Sequence, residues 1–416
     1  MRWSRPTVTS AVLALWAFFC ATGDAVAQQR TSIDTAALDH LITNGGYILT
    51  KDRKTLARYN DDTLFIPAST IKIATALAAF EIIGPDQRFK TEFYLRRDTT
   101  LCIKGYGDPY LISERIEDIA AALRNKGVNR VEKIIIDDSY FSLDGPADGS
   151  ENSENPYDAY NRGLSVNFNS ISLTRHSDGS VTSAENQTPT LPITIEIGSL
   201  IGAGSQRVNV SAYTARNETI TPLRYAAELF AQLLRNHGVV VAQAYERGRI
   251  DRQDRLLYTY YSEKTLADMM RGCLKHSNNF IANQVFLSIG AVRFGAPATW
   301  EKGRRALEEV LSAQARLDET QYTIVEGSGL SRKNRITPAA MIKVLEAFRP
   351  YADLLPHWDR VLRKSGTMTG VFAYSGYFRS GERLDPFVIL LNQPTNHRDQ
   401  LFRNLAKIYR NQNENS

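Results

Sequence analysis

Cysteine and histidine are scarce, with three and six respectively in 416 residues. Cys20 falls in an N-terminal apolar segment, which leaves Cys102 and Cys273 for the body of the protein. Two cysteines build no disulfide framework, and a core of this size needs none for stability. Each sits in an apolar run, so both are expected as buried free thiols. No Cys/His group has metal-ligand spacing, so neither a metal nor a cofactor is expected. Lys/Arg runs are also absent. The 50 basic residues are nearly matched by 45 acidic ones, which argues against a nucleic-acid partner. The small positive balance remains compatible with peripheral contact with an anionic cell wall or membrane. Long apolar runs are missing too. Val8 to Ala21 is too short to span a bilayer comfortably.

That short run reads as part of a signal peptide, residues 1–27. Arg2 and Arg5 precede it, and Ala25-Val26-Ala27 fits a small-x-small cleavage site before Gln28. An uncleaved anchor is the alternative. A lipid anchor on Cys20 is disfavoured by the bulky Phe19. The chain is therefore read as exported, to a periplasm or cell envelope.

The remainder is long enough for two or more domains. Gly46–Thr50 and Thr55–Tyr59 read as a hairpin, followed by an apolar helix from about Ser69 to Ile82 that Gly84-Pro85 stops. Turn signals and strand-like runs then dominate, with short helices expected near 114–126 and 222–237. Helical periodicity returns after Lys264. The chain closes with β-runs at 371–374 and 387–391, a helix at 398–409 and a polar tail expected to fray. Strands and helices segregate in this way in α+β folds with an antiparallel sheet flanked by helices. The expected division is a catalytic domain of 28–89 and 245–416, split by a β-rich insert at 90–244.

Three short strings carry chemistry. In Pro67-Ala68-Ser69-Thr70-Ile71-Lys72, a serine and a lysine three apart lie on one helix face. The amine can then take the hydroxyl's proton without help from a histidine. Ser277-Asn278-Asn279 and Lys364-Ser365-Gly366 follow in order. A lone Ser-x-x-Lys is expected about once by chance in a chain this long. Order and context give the set its weight: the serine starts an apolar helix, Ser-x-Asn breaks between two helices, and Lys-Ser-Gly enters a β-run. Ser69 would be the acyl-accepting nucleophile and Lys72 its base, its pKa lowered by burial and by the second cation, Lys364. Ser277 would relay a proton to the leaving amine. Asn279 would bind the substrate backbone, and Lys364 with Ser365 a terminal carboxylate. Gly366 would let substrate lie along the strand edge, and the Thr367 N–H would complete an oxyanion hole with that of Ser69.

With these strings stand Gly105-Tyr106-Gly107-Asp108-Pro109, Ile136-Asp137-Asp138-Ser139-Tyr140-Phe141, and Glu326-Gly327-Ser328-Gly329-Leu330-Ser331-Arg332. Together they resemble the class C low-molecular-mass penicillin-binding proteins, D-alanyl-D-alanine carboxypeptidases/endopeptidases with an inserted domain. The resemblance implies a β-lactamase/transpeptidase-like fold, cleavage of peptidoglycan stem peptides through an acyl-enzyme, and covalent inhibition by β-lactam antibiotics. It also implies that Arg332, with Asp137 or Asp138, grips the free end of the peptide side chain. The chain departs from the family pattern in having Lys-Ser-Gly for Lys-Thr-Gly and Glu326 for an aspartate. It also has a shorter insert and no Gly-Thr-Leu segment before Lys364. Alternatives on the same fold are a β-lactamase or an esterase. A catalytically weak wall-binding scaffold is another. Oligomeric state and carboxypeptidase-versus-endopeptidase preference stay open.

Overall fold

The computed structural model describes residues 36–414; the predicted signal peptide lies outside them. A six-stranded antiparallel sheet organises the molecule. Its order is His357–Trp358, Val361–Met368, Val371–Ser380, Arg383–Leu391, Gly45–Lys51 and Lys54–Tyr59. The hairpin from the start of the chain thus pairs with the last strand, Tyr47 opposite Ile389. This pairing closes one sheet from segments far apart in sequence.

Both faces of the sheet are covered, which accounts for the unbroken apolar run Phe387–Leu391. Side chains alternate along a strand. Ile48, Leu362, Ala373, Tyr377, Val388 and Leu390 pack against helices Lys72–Ile82, Leu266–His276, Asn279–Phe294, Trp300–Ala315 and Pro338–Phe348. Tyr47, Leu49, Phe378, Phe387 and Ile389 pack on the other face with Leu401, Leu405 and Tyr409 of the last helix, Arg398–Glu414. That helix runs five residues past the expected 409, through what was read as a frayed tail.

Helix Lys72–Ile82 lies at the centre. Its first nine residues, Lys72 to Phe80, are all buried. A helix apolar all round belongs in a core, and its alanines let neighbouring helices approach closely. The expected start at Ser69 differs in detail: Ala68–Ile71 is a 3₁₀ turn and the α-helix begins at Lys72.

A second sheet has five strands in the order Arg255–Tyr261, Lys90–Arg96, Thr100–Gly105, Arg130–Asp137, Val240–Arg247. The last three run parallel, so their connections must cross over, and helices Ser113–Asn125 and Pro222–Asn236 lie in those connections. A three-stranded sheet and helix Pro192–Ser199 fall within the second crossover. These elements share a core of their own. The insert boundary read at Ala244 falls inside strand Val240–Arg247. Pairing carries this sheet on to Tyr261, because Arg255–Tyr261 lies against Lys90–Arg96. Cys102 and Cys273 are free and buried, one in each part of the fold. No helix among the described residues is long and apolar enough to cross a membrane.

Candidate active site

Two breaks in regular structure and one strand bring the three strings together. The first is the turn before the central helix. Ala68 has φ +46°, unusual for a residue with a side chain, and is buried there. Two glycines make room for that turn. A Cβ on Gly329 would lie 2.0 Å from Ala68 O, and one on Gly366 would lie 3.0 Å from Ser69 N. The loop after the helices and the strand Val361–Met368 therefore both press their backbones against the serine turn.

The second break is at Ser277. Helix Leu266–His276 ends there, with Ser277 at φ +56°, and Asn278 caps the next helix by accepting from Ile281 N at 2.9 Å. One helix stops and another starts within two residues, which projects Ser277 and Asn279 from the junction. The strand is Val361–Met368. Lys364 and Gly366 are buried on one face while Ser365 and Thr367 are exposed on the other. Beyond Arg363, which donates to Pro356 O at 3.0 Å, no strand among the described residues pairs with its second edge.

Lys72 Nζ donates to Ser69 Oγ at 3.0 Å, to Asn279 Oδ1 at 2.8 Å and to the carbonyl oxygen of Ser328. Lys364 Nζ donates to Ser277 Oγ at 2.9 Å and to Ser365 O at 2.7 Å. Both lysines are almost fully buried, at 0% and 1% exposure. Burial is the main cause that lowers Lys72 to a pKa of about 8, against the opposing pull of Cys273 and Glu326. Lys364 is lowered to about 7, first by burial and then by the neighbouring Lys72 charge. The effect of one cation on the other, expected on Lys72, thus falls on Lys364. Two such amines titrate as a pair, and near neutrality they hold about one proton between them.

A cleft of about 700 Å³ opens beside Ser69, with Ser277, Asn279, Arg332, Thr367 and Asp148 among its lining residues. Arg332 is exposed, and its Nη2 donates to Thr369 O at 2.7 Å. Asp137 does not join it. Its carboxylate is buried and accepts from the N–H groups of Ser139 and Ile250, both at 3.0 Å. Asp138 sits between Arg247 at 2.8 Å and Arg162 at 3.3 Å, on a separate cavity of about 680 Å³. The insert brings Asp148, Glu151 and Asp158 to the cleft, and of these Asp148 accepts from Ser331 Oγ and Lys333 Nζ. Its place beside a Gly-Pro turn was the only local signal. Among the described residues no group of His, Cys, Asp and Glu could hold a metal.

Glu326 was marked in the sequence only as a departure from aspartate. It is fully buried and ties the loop that presents Ser328 O to Lys72. Its carboxylate accepts from the N–H groups of Ser328, Gly329 and Ser331 and from Asn334 Nδ2. Glu326→Ala would leave those donors buried without partners, a penalty of about 4 kcal/mol. We expect a large drop in thermal midpoint by calorimetry, and loss of the Ser328–Lys72 contact in parallel because the Ser328 carbonyl shifts.

Comparison with known proteins adds to this geometry. The chain is 26% identical over 448 residues to a D-alanyl-D-alanine carboxypeptidase of Actinomadura sp. (strain R39), covering 89% of this chain and 82% of the relative. It is 24% identical over 413 residues to the D-alanyl-D-alanine carboxypeptidase DacB of Haemophilus influenzae, covering 81% and 82%. The crystal structure of penicillin binding protein 4 (dacB) from Haemophilus influenzae superposes with a TM-score of 0.73 at 20% identity, over 88% of this chain and 94% of that one. This likeness identifies the fold as the transpeptidase-like one of that structure. The sequence profile of one family matches residues 27–206 and 178–359, more than half of the chain. The protein belongs to the D-Ala-D-Ala carboxypeptidase 3 (S13) family.

Proposed function

We propose that the chain is an exported, cell-envelope serine carboxypeptidase/endopeptidase. It would cleave the D-alanyl-D-alanine bond of peptidoglycan stem peptides through an acyl-enzyme on Ser69, where β-lactams would be captured covalently. The observation that carries this reading is the set of partners around Lys72. Asn279 Oδ1 and Ser328 O can only accept hydrogen bonds. A neutral amine has two N–H donors and one lone pair. Once Lys72 loses its extra proton, the two N–H groups stay on those carbonyls. The lone pair is then left facing Ser69 Oγ at 3.0 Å, the one partner with a proton to give.

Ser69 gives its proton to Lys72 as its oxygen bonds to the penultimate D-alanine carbonyl. The oxyanion sits between the N–H groups of Ser69 and Thr367. The C–N bond breaks, and the leaving nitrogen takes a proton from Ser277, which is refilled from Lys364 at 2.9 Å. The proton on Lys72 returns to Lys364, which leaves Lys72 neutral again; water then attacks the ester and gives Lys72 a proton, the C–O bond to Ser69 breaks, and Ser69 takes that proton. An anionic substrate end held by Lys364 and Ser365 draws the shared proton onto Lys364 and leaves Lys72 neutral. Asn279 holds Lys72 through its oxygen and offers its Nδ2 donors to the substrate backbone. Arg332 with Asp148, rather than Asp137, would receive the charged end of the peptide side chain.

The test uses a fluorescent penicillin and purified muropeptides analysed by mass spectrometry. One stoichiometric, slowly lost label at Ser69 and loss of a single alanine are expected. Conversion of cross-linked dimers to monomers would report the endopeptidase activity. Rapid β-lactam turnover would mean a β-lactamase instead. An unlabelled wild type would sink the mechanism.

A further inference from the structure

A residue outside all three strings reaches the face of strand Val361–Met368 that carries Ser365 and Thr367. Arg398, the first residue of the last helix, has a mostly buried side chain, 12% exposed. Its Nη1 donates to Thr367 Oγ1 at 2.9 Å and to Gly366 O at 3.1 Å. Its guanidinium lies 4.1 Å from the Tyr374 ring centroid, and Arg363 lies 4.0 Å from the same ring. Asp399 is the carboxylate near them, but it is 3.8 Å from Arg398 and already accepts from the Tyr374 hydroxyl at 2.7 Å. Arg398 Nε and Arg363 Nη1 are buried without a hydrogen-bond partner among the described residues. This stretch of strand therefore carries more positive charge than its neighbours neutralise.

The hydrogen bond to Thr367 has a direction. Because the guanidinium can only donate, Thr367 Oγ1 accepts, and its own O–H is left to donate outward. A free carboxylate, which only accepts and carries charge, suits that donor and the surplus cations. A cross-linked or amidated residue places a neutral amide there.

We propose that Arg398 is a specificity-determining residue. Acting through Thr367, it reserves the position beyond Gly366 for the free carboxylate of a C-terminal D-alanine and biases the cleft toward carboxypeptidase over cross-link cleavage. The proposal rests on the reading of Ser69 given above. Arg398 need not touch substrate for this, so it is a positioning residue that also supplies charge. A purely structural alternative exists, since the same contacts pin the last helix to the strand. The two differ in what they do to charged and neutral substrates.

Wild type, Arg398→Gln and Arg398→Lys are compared on Nα-acetyl-L-Lys-D-Ala-D-Ala, whose side-chain amine stays charged, and on the same peptide with a C-terminal amide. Wild type is expected to favour the acid by about tenfold or more in kcat/KM, the scale of one charge-assisted hydrogen bond. In Arg398→Gln, KM for the acid rises about tenfold with kcat changed by about twofold or less, while kcat/KM for the amide falls only about twofold. Arg398→Lys recovers part of the preference. Equal losses on acid and amide, or an unchanged KM for the acid, overturn the proposal. Wild type that cleaves neither peptide and takes no fluorescent penicillin overturns the Ser69 reading beneath it, a distinct result.

Discussion

Replacing Ser69 with alanine is expected to abolish covalent capture of β-lactams and to cut D-alanine release by about 10⁵-fold or more, the scale of losing a serine nucleophile that acts as one unit with its base. The fold should survive. Ser69 is half-buried, and among the described residues its hydroxyl bonds only to Lys72. Lys72 keeps two carbonyl partners without it. The turn itself depends on Ala68, Gly329 and Gly366, which the change leaves alone. Stability should therefore move by about 1 kcal/mol or less. Intact-protein mass spectrometry after incubation with penicillin reads the result directly. A β-lactam adduct on the alanine variant at the wild-type rate would move the nucleophile elsewhere, with Ser277, which lines the same cleft, the first place to look.

How much of this was legible in the sequence depends on how far apart the partners lie. Ser69 and Lys72 are one helical turn apart, and periodicity alone puts them together. The role of Ser277-Asn278-Asn279 as a junction between helices was also local, since the asparagine cap and the following apolar run are adjacent. The split sheet was readable because apolar β-runs stood at both ends of the chain. Features that needed long-range register were hidden. Arg398 meets Thr367 across a two-strand excursion and a change of sheet face. Asp137 read as a site residue because it sits in a signature, but its neighbours Ser139 and Ile250 use its carboxylate to fix a turn. Asp148 comes from an irregular segment with no periodicity to place it. Burial was hidden in the same way. A lysine at the head of an apolar helix reads the same whether exposed or enclosed, and the enclosure comes from Ser328 and Asn279, far along the chain.

That enclosure makes Lys72→Met the second decisive change, with an expected loss of about 10⁴-fold in acylation rate. Methionine fills similar space and removes only the amine. Binding of the β-lactam before reaction should change little, so the loss should appear in the acylation step of stopped-flow traces. The pH dependence gives an independent reading. The wild-type amine must be neutral to accept the serine proton, and burial lowers its pKa from 10.5 to about 8. Acylation should rise about tenfold per pH unit below that value, stop rising near it, and fall at higher pH as Lys364, the proton source for the leaving nitrogen, is itself stripped. A rise that continued toward pH 10 would mean an ordinary lysine and a different base. Stability carries the opposite face of the same shift. Between pH 8 and 10.5 the unfolded chain holds a proton on this lysine that the folded chain lacks, so stability rises with pH across that window. The cost is fully present below about pH 8 and gone above the unfolded value. In Lys72→Met that part of the rise in thermal midpoint should vanish, while its activity stays low at every pH. A variant that kept both the slope and the activity would remove Lys72 from the mechanism.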